Sequence, residues 1–108
     1  LSLVGSEMCI RDRSYIANNF QENIAIEDIA NYCFYSKSYF MKFFKETMGV
    51  SFIQYLNDYR LEIAAELLTT TTDNILDIAF ATGFNNISYF NRCFKKKYGV
   101  SPRKYRFW

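Results

Sequence analysis

The stretch SYFMKFFKETMGVS (Ser38 to Ser51) returns fifty positions later as SYFNRCFKKKYGVS (Ser88 to Ser101), with eight of fourteen positions identical. Upstream the echo continues at a shift of forty-nine, where Ile26, Asp28, Ile29 and Ala30 match Ile75, Asp77, Ile78 and Ala79. The shift changes because the second copy carries one extra residue around Asn85 and Asn86. In 108 residues there is room for one domain or for two very small ones. A repeat this dense therefore makes the chain two copies of one unit, and that unit is expected to be the functional element, used twice.

The spacing of apolar residues makes the unit helical. Tyr15, Ile16 and Phe20 begin a short first helix, and Ile26, Ile29, Ala30 and Cys33 form the buried stripe of a second. Ser36 is a suitable N-cap for a third helix whose inward face is Phe40, Phe43 and Phe44. Gly49 suits the left-handed position that ends it, with Val50 packing back on the last turn. Ser51 then caps a long stripe running from Phe52 to Leu68, a helix of roughly 18 residues and about 27 Å. After a polar loop at Thr69 to Asn74 the pattern repeats. Ile75, Ile78 and Ala79 lie on a fifth helix, Gly83 makes the turn, and Phe90, Cys93 and Phe94 face inward on a sixth. Pro102 opens a closing helix at a position where its missing N–H costs nothing. No strand pattern appears. The expected fold is all-α: two helix-turn-helix subdomains joined by a long linker helix, about seven helices in all.

Each long-aromatic helix leaves one side uncommitted to the core. On the third helix that side is Lys37, Ser38, Met41, Lys42 and Lys45; on the sixth it is Ile87, Ser88, Asn91, Arg92 and Lys95. Lysine and arginine can pair with guanine O6 and N7, asparagine with adenine, and methionine or isoleucine can meet a thymine methyl. An ordinary solvated surface is the alternative for either face taken singly. Two such faces on one template, free of acid until their ends, point instead to a reader of the DNA major groove. Charge agrees in its distribution rather than its total of +2. From Arg92 onward there are seven cations and no acid, whereas Glu46 to Asn91 holds six acids and one base. That asymmetry suits a polyanion on one surface.

Other chemistry is poorly supplied. Without histidine the chain lacks the usual general base and the commonest metal ligand. Cys9, Cys33 and Cys93 show no CxxC spacing and are odd in number, which reads as reduced thiols in a cytoplasmic protein. No apolar run is long enough for a membrane span. No catalysis, metal or cofactor is expected. The opening LVGSEMCIRD resembles a conceptual translation of a transposase-based sequencing adapter, so residues 1–13 are expected to be an artefact and authentic sequence to begin near Ser14.

From Ser14 to Trp108 the chain resembles the two-helix-turn-helix DNA-binding domain of the AraC family of bacterial transcription regulators. The likeness is carried by IEDIANYCFYSKSYFMKFFKETMGVSFIQYLNDYRLEIAAELL and, more diagnostically, by ILDIAFATGFNNISYFNRCFKKKYGVSPRKYR. It implies base-reading positions at Ser38, Met41 and Lys42 in the third helix and at Ile87, Ser88, Asn91 and Arg92 in the sixth. Phosphate contacts are expected from Ser36, Lys37, Lys45, Asn86 and Lys95. The partner is double-stranded DNA, in an asymmetric site read in successive major grooves, with RNA polymerase as a further partner and a sensory or receiver domain preceding Ser14. The expected organisation is a first subdomain at 14–50, a linker helix at 51–69 and a second subdomain at 70–108. Two other functions compete: a module fused to an alkylation-repair enzyme, and a helical protein-interaction domain.

Two departures weaken the first copy. Phe34 stands where the second copy has Gly83, and a left-handed backbone there costs on the order of 1 kcal/mol. Ala25 occupies a position suited to a capping Ser or Thr, a further loss of roughly 1 kcal/mol. The second copy is expected to be the more stable. Cys33 and Cys93 are expected on buried stripes, and Tyr39 and Tyr89 to pack with their hydroxyls toward phosphate.

Overall fold

A computed structural model describes residues 14–22 and 24–107. The segment 1–13, including Cys9, lies outside the described residues. Every regular element among the described residues is helical: α1 (14–19), α2 (Ile26–Tyr32), α3 (Lys37–Met48), α4 (Phe52–Thr70), α5 (Ile75–Ala81), α6 (Ile87–Tyr98) and α7 (Pro102–Arg106). Among them no helix is long and apolar enough to cross a membrane.

Local chemistry sets the helix ends. Ser36, Ser51, Asn74, Asn86 and Ser101 each accept a hydrogen bond through the side-chain oxygen from the backbone N–H three residues on, at 2.8–3.2 Å. Each such bond satisfies a donor that the first helical turn would otherwise leave without a partner. Helix α2 lacks such a bond, since Ala25 makes no side-chain cap. At the other end Gly49 (φ 81°) and Gly99 (φ 80°) adopt the left-handed conformation, and their N–H groups return to the Lys45 and Lys95 carbonyls. Val50 is 37% exposed and so packs back only in part.

The tight turns of the two copies share one geometry. After α5 the Phe84 N–H donates to the Ala79 carbonyl and the Gly83 N–H to the Phe80 carbonyl. After α2 the Tyr35 N–H donates to Ala30 and the Phe34 N–H to Asn31. This paired pattern requires a left-handed residue just past the helix. Gly83 adopts φ 101°, and Phe34 is forced to φ 64° with its side chain 81% exposed. Phe34→Gly should therefore raise stability, by about 1 kcal/mol less the extra chain entropy that glycine gives the unfolded state. A thermal melt checks this; a lower Tm would mean that contacts of the aromatic ring outweigh the backbone strain.

The packing divides the chain into two compact units, with the break inside α4 between Leu56 and Asn57. In the first, Ile16, Ile29, Ala30, Cys33, Phe40, Phe44, Phe52 and Leu56 are buried. Phe52 meets Phe40 and Phe44 edge-on at 5.6 Å. In the second, Leu61, Ala64, Ala65, Leu68, Ile78, Ala79, Phe84, Phe90 and Phe94 form the core. Phe84 meets Phe90 edge-on at 5.1 Å, and Phe94 meets Tyr105 at 5.3 Å.

Three polar side chains join that second core in ways the apolar pattern does not reveal. Thr82 is fully buried and its hydroxyl donates to the Ile78 carbonyl at 2.8 Å. Arg60 is 9% exposed, with its guanidinium 6.0 Å from the Phe84 ring, and burial draws its pKa below the usual range. Arg106 donates through Nε to the Leu68 carbonyl (2.9 Å) and through Nη2 to the Thr71 carbonyl (3.3 Å). It thereby fastens α7 to the C-terminal end of α4, where carbonyls lack helical partners and the dipole favours a cation. Arg106→Met should cost about 1.5–3 kcal/mol, the usual worth of hydrogen bonds to a charged group. Urea titration would show this as a lower midpoint at unchanged slope.

Candidate nucleic-acid interface

Burial of Phe40 and Phe44 on one side of α3 fixes which side faces solvent. Lys37, Ser38, Met41, Lys42 and Lys45 are all exposed there, and at three- and four-residue spacing they form one continuous surface. Phe90 and Phe94 fix α6 in the same way, exposing Ser88, Asn91, Arg92 and Lys95. Ile87 departs from the expected free face. It is half-buried and packs against the core of the second unit. Three and seven residues ahead of Phe90 and Phe94, it lies on their side of the helix.

Several expected contact residues have internal partners as well. Ser36 and Asn86 use their side-chain oxygens as the caps of α3 and α6. Lys37 lies 3.7 Å from the Glu27 carboxylate of α2, with both side chains well exposed, so the pair is weak and screened. In the basic C-terminal stretch Arg106 serves the fold, and Lys97 lies 3.9 Å from Asp58 on α4. Lys95, Lys96, Arg103 and Lys104 are exposed.

The two tyrosines that follow the paired serines differ. Tyr39 stacks with Tyr35 (4.8 Å) and Phe43 (5.7 Å) along the flank of α3. Tyr89 packs beside Phe84, and its hydroxyl accepts from the Asn57 side-chain amide at 2.9 Å. A hydrogen bond with Cys93 and partial burial hold that hydroxyl's pKa above its ordinary range, against the opposing pull of Asn57 and Arg92. The Arg92 guanidinium lies 5.7 Å from the centre of the Tyr89 ring. Cys33 is buried as its stripe predicts, whereas Cys93 is only half-buried. Among the described residues no group of side chains could hold a metal ion.

A short helix, a left-handed turn and a capped second helix with an exposed cationic face can place donors against base edges while flanking cations meet phosphates. Comparison with known proteins agrees. A helix-turn-helix domain family profile matches residues 29–107. Over 92 residues, 85% of this chain, the sequence is 36% identical to the regulatory protein PocR of Salmonella typhimurium and covers 30% of that protein. Over the same length it is 35% identical to the bifunctional transcriptional activator/DNA repair enzyme AdaA of Bacillus subtilis, covering 44% of it. The chain thus spans less than half the length of either relative. An AraC-type transcriptional regulator from Chromobacterium violaceum superposes with a TM-score of 0.88 at 26% identity, over 94% of this chain and 91% of that one. The chain belongs to the AraC family of helix-turn-helix DNA-binding domains.

Proposed function

We propose that the chain is the sequence-reading output domain of a larger cytoplasmic transcription regulator, acting on double-stranded DNA. The observation that carries the reading is the repeated exposed face: Ser38, Met41 and Lys42 on α3, and Ser88, Asn91 and Arg92 on α6, each held on a capped helix with no acid among them. These residues read base edges. Lys45 and Lys95, further along each helix, neutralise phosphates, joined by Lys37 and by the backbone around Ser36 and Asn86. Ile87 supplies an apolar edge to the second reader through whatever part of its side chain stays outside the core. The first reader lies within 14–50, the linker helix within 51–69 and the second reader within 70–108. A sensory or receiver domain before Ser14 governs when the site is bound, and contact with RNA polymerase converts binding into activation.

Selection from random duplex DNA tests this reading. Two unlike blocks about 10 base pairs apart, one helical turn, are expected. A single block would reduce the first unit to a phosphate clamp, and no enrichment would remove the reading. Lys95→Ala should weaken binding to every sequence alike and lower the slope of log affinity against log salt by about one. An unchanged slope would take Lys95 off the phosphate surface.

The name of AdaA joins activation with DNA repair, so a repair domain is the other upstream partner to consider. Alkyl transfer needs an accessible, activated thiol. Cys33 is buried, and Cys93 is half-buried with Tyr89 beside it. This module therefore contributes DNA binding under either partner.

A further inference from the structure

The strongest unassigned feature is the chain of contacts that runs from α4 to the reading face of α6. Asn57 donates to the Tyr89 hydroxyl at 2.9 Å, the Tyr89 ring leans on Phe84 at 6.1 Å, and the Arg92 guanidinium lies 5.7 Å from the centre of that ring. Arg92 is exposed, and Tyr89 is 40% exposed. A guanidinium on a flexible stem loses much side-chain entropy when it engages a base, and a platform that already restricts it reduces that loss. An aromatic face provides such a platform through cation–π attraction. The ring itself is fixed at two points, by Asn57 at its hydroxyl and by Phe84 at its side. In the first copy Tyr39 is followed by Lys42 at the same spacing, and Tyr39 stacks with Tyr35 and Phe43 instead.

We infer that Tyr89 is a positioning residue for base reading: its ring, tethered to α4 through Asn57, holds the Arg92 guanidinium ready for one base pair. The inference rests on the reading of Arg92 as a base contact. Tyr89 acts through Arg92 and touches no base itself, so its role appears in selectivity at a single base pair and not in the count of phosphates.

The test measures binding of the whole 108-residue chain to the selected duplex and to duplexes substituted at each base pair in turn. Tyr89→Leu is expected to reduce preference at the Arg92 base pair about two- to five-fold, the worth of an exposed cation–π contact. The salt slope stays unchanged because no charge is removed. Tyr89→Phe keeps the ring and should lose less; a loss as large as that of Tyr89→Leu would overturn the platform role. In an Arg92→Ala background Tyr89→Leu should have no further effect on that preference. An effect that persists there, or a uniform loss across all sequences, would overturn the inference. Circular dichroism checks the fold, and should Tyr89→Leu fail to fold, Asn57→Ala probes the same contacts from α4. It must lower the same preference, and only while Arg92 is present. If Arg92→Ala itself weakens all sequences equally, the base-contact reading fails and the inference with it. That result is distinct from one in which Arg92→Ala loses selectivity and Tyr89→Leu does not.

Discussion

Phe94→Ala is expected to destabilise the second unit by about 3–5 kcal/mol, enough to leave it largely unfolded under conditions in which the parent chain is folded. The side chain is fully buried and its ring touches three others: Tyr98 at 4.6 Å, Tyr105 at 5.3 Å and Phe90 at 5.8 Å. Removing it leaves a cavity walled by α6 and by α7. Neither can collapse freely, because Arg106 pins α7 to the end of α4. Domains of ordinary size retain only about 5–15 kcal/mol of stability, and a unit of some fifty residues buries proportionately less surface. The loss therefore consumes most of the margin. Phe107→Ala is the control, since that ring is 79% exposed and such surface changes usually stay within about 0.5 kcal/mol. Urea titration of the two variants measures the difference. A loss below about 1 kcal/mol for Phe94→Ala would mean that the aromatic cluster repacks around the missing ring.

Phe90 and Phe94 were legible in the sequence as core because aromatic residues at helical spacing have few places to go in a small helical unit. The caps were legible too. Ser36, Ser51, Asn74 and the glycines at 49 and 99 sit where the chain needs a side-chain acceptor or a left-handed backbone, and short polar residues and glycine meet those needs locally. Phe34 was legible through the repeat, since the matching Gly83 marks the turn and the same two backbone hydrogen bonds occur in both copies. What the sequence hid were polar groups whose partners lie far along the chain. Arg106 looked like one more cation in a basic tail, yet its partners are carbonyls 35 and 38 residues earlier. Tyr89 gave no sign of Asn57, 32 positions away, whose side-chain amide donates to its hydroxyl. Periodicity reports which side of a helix is buried, and it carries no information about which distant backbone group a guanidinium or phenol will meet. Ile87 shows how a border position is misread. It stands four residues before Asn91 but three and seven before Phe90 and Phe94, so the helical period places it on the core side.

Arg92→Ala is expected to weaken binding to the selected site by about 1–3 kcal/mol and to erase preference at one base pair. The expectation comes from geometry and charge together. Arg92 is exposed in the first half of α6, on the side opposite Phe90 and Phe94, and its guanidinium lies over the Tyr89 ring. Helix α6 itself carries no acid. A guanidinium can donate two parallel hydrogen bonds to guanine O6 and N7, which an ammonium cannot reproduce. Arg92→Lys therefore separates the two parts of the contact. It keeps the charge, so the salt slope should be unchanged, while the preference for one base falls nearly as far as in Arg92→Ala. Lys95, one turn nearer the C-terminus, should behave in the opposite way, with a lower slope and an intact preference. If instead Arg92→Ala lowers affinity equally for every duplex and reduces the slope by about one, Arg92 belongs with Lys95 on the phosphates. The discriminating side chains of α6 would then be Ser88 and Asn91, and the site would be read through fewer donors at the centre of the second block.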